Sequence, residues 1–178
     1  MKFVRTTVVG AFLAAGTSLA VAQDAADQLT IELDDGPVVI QLRPDIAPQH
    51  VERIKTLAAD GFYDGIVFHR VIPGFMAQTG DPTGTGTGGS DLPDLPAEFT
   101  NEAMFKRGTV GMARSADPNS ANSQFFIMFD EASHLDGQYT IVGEVIEGME
   151  NVDEIKKGAA PNGLVEEPDS MLKVTVGS

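Results

Sequence analysis

The sequence predicts a mainly β domain, a closed eight-stranded antiparallel β-barrel capped by two α-helices. Three observations carry this expectation. Short runs that alternate apolar and polar residues recur along the chain, which is the period of a strand with one buried face. Only two segments show helical spacing, and the second lies near the end, so a repeating βαβ pattern is excluded. The 19 glycines and 10 prolines supply many turns. On pattern alone a two-sheet sandwich fits almost as well. With 178 residues, 42% of them hydrophobic, the chain can build one core without metals or disulfides.

The elements follow in order. Leu29 to Leu33 alternates as a strand, Asp34-Asp35-Gly36-Pro37 is a turn, and Val38 to Leu42 is a second strand, together an antiparallel hairpin. A helix follows, with Pro48 in its first turn and Ala47, Val51, Ile54, Leu57 and Ala58 on one face; Asp60-Gly61 ends it. Ile66 to Ile72 and Phe75 to Thr79 read as strands separated by Pro73-Gly74. A Gly/Pro/Thr/Asp loop runs from Gly80 to Pro96. Further strands are expected over Thr109 to Ala113, Gln124 to Met128, Tyr139 to Ile146 and Leu172 to Val176, with a short helix marked by Met149, Val152 and Ile155.

The N-terminus reads differently. Lys2 and Arg5 precede an uncharged run, Val8 to Ala22, that ends in Ala20-Val21-Ala22. This is the pattern of a secretory signal peptide, with cleavage expected after Ala22. The run is shorter than the roughly 20 apolar residues that span a bilayer. The division expected is therefore 1–22 signal peptide, 23–28 polar lead-in and 29–178 a single domain, periplasmic or secreted and free of the membrane after cleavage. A monomer is expected, since no segment reads as an oligomerisation helix or strand.

Charge and composition exclude several partners. The net charge is −14, from 26 acidic and 12 basic residues, which disfavours nucleic acid and anionic membranes. There are no cysteines, so disulfides and thiolate zinc sites are excluded. Gly84-Thr85-Gly86-Thr87-Gly88-Gly89 satisfies G-x-G-x-x-G, but Pro93 and Pro96 forbid the helix that a dinucleotide site needs there. The chain has no G-x-x-x-x-G-K-[ST] and no G-x-S-x-G. His50, His69 and His134 show no metal-ligand spacing. No metal and no cofactor is expected.

The densest informative segment is Phe68-His69-Arg70-Val71-Ile72-Pro73-Gly74-Phe75-Met76-Ala77-Gln78. It resembles the signature of the cyclophilins. The resemblance continues in family order through Gly80 to Gly86, Gly111-Met112-Ala113, Asn122 to Ile127, Leu135-Asp136-Gly137, Gly143-Glu144-Val145 and Gly148-Met149. It spans about Leu29 to Val176. It implies the barrel, a peptidyl-prolyl cis/trans isomerase activity, and proline-containing unfolded or partly folded polypeptides as partners. It also implies catalytic roles for Arg70 and Gln78, with Phe75, Met76, Phe126 and Leu135 as the proline pocket. Ala113 and Arg114 fall where the peptide runs, and His134 and Tyr139 at the pocket edge.

The chemistry suits those residue types. An X–Pro bond isomerises over about 18–20 kcal/mol because amide resonance is lost midway. The prolyl nitrogen regains its lone pair as the bond twists, so a cation aimed at that nitrogen binds the twisted state better than either planar one. Arg70 offers a fixed charge and directional donors. An isolated strand arginine is ordinarily a surface ion pair; the surrounding block gives this one its role. The isomerisation transfers no proton, so it needs no general base from His69, and in a regular strand alternation sets that residue on the opposite face from Arg70.

Some positions depart from the best-known family pattern. Arg114 stands where asparagine is common, His134 where cyclosporin-sensitive members have tryptophan, Tyr139 where many have histidine, and Val142 where phenylalanine is usual. Weak cyclosporin binding is the expected consequence. Two alternative functions stay open from the residues: a proline-segment-binding chaperone or assembly module with incidental isomerase activity, and a hydrolase built from scattered polar groups.

Overall fold

The computed structural model describes residues 25–177. The expected signal peptide lies outside the described residues. Of the expected lead-in, Ala25–Asp27 forms a single 3-10 turn that runs straight into the first strand.

Eight strands and two α-helices follow: β1 (Gln28–Leu33), β2 (Gly36–Leu42), α1 (Pro48–Ala59), β3 (Arg70–Ile72), β4 (Met76–Thr79), β5 (Thr109–Met112), β6 (Phe125–Met128), β7 (Ile141–Glu147), α2 (Met149–Glu154) and β8 (Lys173–Val176). All ladders are antiparallel, in the order β3-β4-β6-β5-β7-β2-β1-β8. The eight antiparallel strands and two helices are as expected; a closed barrel is not shown. The sheet is a curled half-barrel whose end strands, β3 and β8, form no ladder with one another.

The two ends are joined instead beside the strands, where residues 65–68, of which 66–68 are expected in the strand, bond to the chain entering β8. Gly65 N–H donates to Met171 O at 2.7 Å, Met171 N–H to Ile66 O at 2.9 Å and Phe68 N–H to Asp169 O at 2.9 Å. Only an isolated bridge, Val67 to Ser170, results.

Helix α1 forms as its sequence dictates. Pro48 opens it, and Val51, Ile54, Leu57 and Ala58 are buried. Gly61 takes φ +71, Gly61 N–H bonds Ala58 O, and Phe62 N–H bonds Leu57 O, the paired closure of a Schellman motif. Ala47 provides no side-chain cap. The Glu98 carboxylate does so from the long loop, accepting from the N–H groups of Gln49 (3.2 Å) and His50 (3.1 Å). It also meets His50 Nδ1 at 2.6 Å.

Helix α1 packs against β8 and α2 against β2. The main core, including Leu29, Ile31, Ile40, Val51, Ile54, Phe68, Phe125 and Ile127, lies on one face of the sheet. A second buried cluster of Met76, Phe105, Phe126, Met128, Ala132, Leu135 and Ile141 lies on the other. Strand alternation sorts the two: Phe125 and Ile127 go to the first, Phe126 and Met128 to the second. Strands β4 and β6 are thus covered on both faces.

Two buried histidines set an acid limit on stability. Burial pushes the His50 and His69 rings below the usual imidazole range, although Glu98 and Asp81 respectively oppose the shift. Above pH 6.5, the ordinary value, both rings are neutral in either state. Below it the unfolded chain takes up protons that the folded chain resists, so stability falls with pH. The urea midpoint is expected to drop between pH 7 and pH 5, less steeply in His69→Leu. An unchanged midpoint across that range contradicts the assignment.

Candidate active site

The register places four residues side by side. Arg70 on β3 pairs with Gln78 on β4, Gln78 with Phe126 on β6, and Phe126 with Gly111 on β5. One row across four strands therefore carries a cation, an amide, an aromatic ring and an empty position. The empty position makes room for rings. A Cβ at residue 111 would stand 2.6 Å from Phe105 Cε1 and 2.7 Å from Phe126 Cζ. Phe105 and Phe126 stack there at 5.7 Å, with Tyr139 edge-on to both.

Above this row opens a cavity of about 190 Å³ lined by Arg70, Phe75, Met76, Gln78, Ala113, Arg114, Phe126, Leu135 and Tyr139. Nine of the ten residues expected at the site thus share one cavity. His134 is not among the lining residues. It is exposed, and its ring stacks on Phe75 at 5.9 Å from outside the lining. The 3-10 turn Ser133–Leu135 is the cause: it turns Leu135 inward and leaves its neighbour at the surface. His69 is buried and does not line the cavity.

Arg70 is held at two points. Its Nη1 donates to Gln78 Oε1 at 3.2 Å, and its Nε to the Asn162 carbonyl at 3.0 Å. Gln78 Nε2 donates to Gln124 Oε1 at 2.8 Å, and Gln124 Nε2 to the carbonyls of Gly86 (3.2 Å) and Gly88 (2.8 Å). The guanidinium is thereby tied, through two amides, to the glycine-rich loop.

That loop has its own anchor. Asp81 is fully buried. Its carboxylate accepts from the backbone N–H groups of Thr83, Thr85, Gly86 and Gly88 and from the Thr83 hydroxyl. Burial pushes this carboxyl up, but the converging donors outweigh it and hold the group at about 2. A side chain at residue 88 would collide with the carboxylate. The G-x-G-x-x-G segment therefore cradles an anion that the chain itself supplies, and no helix follows it before β5.

Sequence reading missed Gln124 and Asn162. Gln124 had a signal: it lies two residues before Phe126, so alternation sets both on the site face. Asn162 had none, because its contribution is a backbone carbonyl 92 residues from Arg70. Beside the first cavity lies a second, of about 560 Å³, which shares Gln78, Ala113 and Arg114 with it. Among the described residues no cluster of three or more His, Asp or Glu is placed to hold a metal ion, and no helix is long and apolar enough to cross a membrane.

Comparison with known proteins agrees with this geometry. The sequence model of the family described as cyclophilin type peptidyl-prolyl cis-trans isomerase/CLD matches residues 28–176. A probable peptidyl-prolyl cis-trans isomerase of Brucella suis is 52% identical over 192 aligned residues, covering 99% of this chain and 97% of that protein. A Cryptosporidium parvum cyclophilin type peptidyl-prolyl cis-trans isomerase, crystallised in the presence of the dipeptide Ala-Pro, superposes with a TM-score of 0.77 at 29% identity, covering 85% of this chain and 99% of that one. A cyclophilin from Hirschia baltica gives 0.75 at 29% identity, with 86% and 74% covered. The chain belongs to the cyclophilin family and is a peptidyl-prolyl cis/trans isomerase.

Proposed function

We propose that this isomerase assists the folding of exported proteins, with Arg70 stabilising the twisted X–Pro amide beside an apolar proline pocket. The observation that carries the mechanism is the shared cavity: a guanidinium held by Gln78 and Asn162 faces the same space as Phe75, Met76, Phe126 and Leu135. The apolar walls hold the proline ring while the preceding carbonyl rotates. Arg70 keeps N–H donors for the prolyl nitrogen as its lone pair emerges, and this interaction is made only in the twisted state. No covalent bond forms and no proton moves. The partner class is proline-containing polypeptide, a reading supported by the Ala-Pro present with the Cryptosporidium relative.

The export role rests on Lys2, Arg5 and the uncharged run to Ala22. Expression of the full chain with a C-terminal tag tests it. The tagged protein is expected outside the cytoplasm, starting at Gln23, and able to accelerate refolding of a substrate limited by X–Pro isomerisation. Cytoplasmic protein that retains Met1 contradicts the export role.

A further inference from the structure

Arg114 stands at the junction of the two cavities, since it lines both. Its guanidinium lies over the Tyr139 ring at 4.4 Å. Nε and Nη2 donate to the Gln138 carbonyl at 3.2 and 2.8 Å, and Nη1 to the Ser115 carbonyl at 2.9 Å. An arginine has five N–H donors, so two remain, one on each Nη. Its partners are neutral carbonyls, and among the described residues no carboxylate lies within ion-pair distance of it.

Four of the ten described lysines and arginines, Arg53, Arg70, Arg114 and Lys157, have no carboxylate partner, and of these only Arg70 and Arg114 line the first cavity. Arg43, Lys55, Lys106, Arg107, Lys156 and Lys173 each pair with an aspartate or glutamate. With 26 acidic residues against 12 basic ones, a half-buried arginine without a carboxylate partner is a site that the chain's own acids leave open. Arg70, the other cation facing the first cavity, is also without one. The second cavity is otherwise walled mainly by glycines and neutral polar side chains such as Thr87, Ser90 and Ser120. Its one carboxylate, Asp94, lines only that cavity and accepts a hydrogen bond from Asn122 Nδ2 at 2.9 Å.

We propose that Arg114 selects X–Pro segments carrying a carboxylate side chain within one or two residues of the proline. The inference rests on the isomerase reading. A proline ring in the first cavity directs the neighbouring residues, spaced by about 3.3 Å each, across the shared wall of Gln78, Ala113 and Arg114. A carboxylate there meets two free N–H donors and a planar charge already oriented by Tyr139 and Gln138. Its gain is a charge-assisted hydrogen bond.

The test measures kcat/KM for peptides built around Ala-Pro, with Glu, Gln or Lys placed in turn at the two positions on either side. At one position wild type is expected to favour Glu over Lys by about tenfold or more, from the lower end of the range for a hydrogen bond to a charged group. Arg114→Gln brings that ratio close to one, and Arg114→Lys restores part of it. Arg43→Gln, the same charge change outside the groove, leaves the ratio as in wild type. A ratio near one at every position, a preference for Lys, or a Glu preference that survives Arg114→Gln overturns the proposal while leaving the isomerase reading intact. Failure to accelerate any of the peptides overturns both.

Discussion

Replacing Arg70 with alanine is expected to lower kcat/KM for a neutral Ala-Pro peptide by about 100-fold, the usual cost of losing one donor aimed at transition-state charge. The fold should hardly notice. Arg70 is not part of a buried ion pair; it bonds one amide and one backbone carbonyl, so its loss leaves no buried charge unpaired. The denaturant midpoint should therefore shift by no more than about 1 kcal/mol in stability. Arg70→Lys separates charge from geometry. It keeps the cation but loses the fork that bonds Gln78 and Asn162 together, so activity should lie between wild type and the alanine variant. Activity near wild type in Arg70→Ala, measured by exchange between the cis and trans peptide, contradicts the mechanism.

Asp81→Ala is expected to act mainly on stability, with a loss of roughly 3 kcal/mol. Its carboxylate closes the hydrogen bonding of four backbone N–H groups, and with it the conformation of residues 80–89. Without it those donors face a cavity or require water in a buried place. The charge contributes separately. Because the folded group titrates at about 2 against 3.8 when unperturbed, its stabilisation is complete above pH 3.8 and is lost as pH falls toward 2. That part amounts to about 2 kcal/mol. Asp81→Ala should accordingly flatten the acid limb of the stability curve as well as lower the plateau. Activity should fall too, since the carbonyls of Gly86 and Gly88 hold Gln124, and Gln124 holds Gln78. A variant with an unchanged urea midpoint at pH 7 contradicts this account of the loop.

Particular residues show what the sequence could and could not reveal. The β1–β2 hairpin, α1 and the run Phe125–Met128 were legible because period and turn chemistry are local. The site was legible through collinear blocks, with Gln78 opposite Arg70 once β3 and β4 form a hairpin. How the two ends of the sheet meet was not legible, since it depends on bonds from 65–68 to the approach to β8, about 100 residues later in the chain. Asp81 read as one more acidic residue in a polar loop. Nothing in its neighbours announces burial, because the groups that satisfy it are backbone N–H groups. His134 read as a residue of the pocket edge, and the 3-10 turn sets it at the surface with its ring stacked on Phe75.

The central claim is that Arg70 acts on the twisted amide and not on the bound peptide in general. Magnetic resonance of a labelled Ala-Pro peptide bound to wild type and to Arg70→Ala measures both at once: the exchange rate between bound cis and bound trans forms, and the dissociation constant. The account predicts exchange slowed about 100-fold in the variant, with the dissociation constant within roughly threefold of wild type. Exchange that stays at the wild-type rate, or a loss of activity explained entirely by weaker peptide binding, contradicts it.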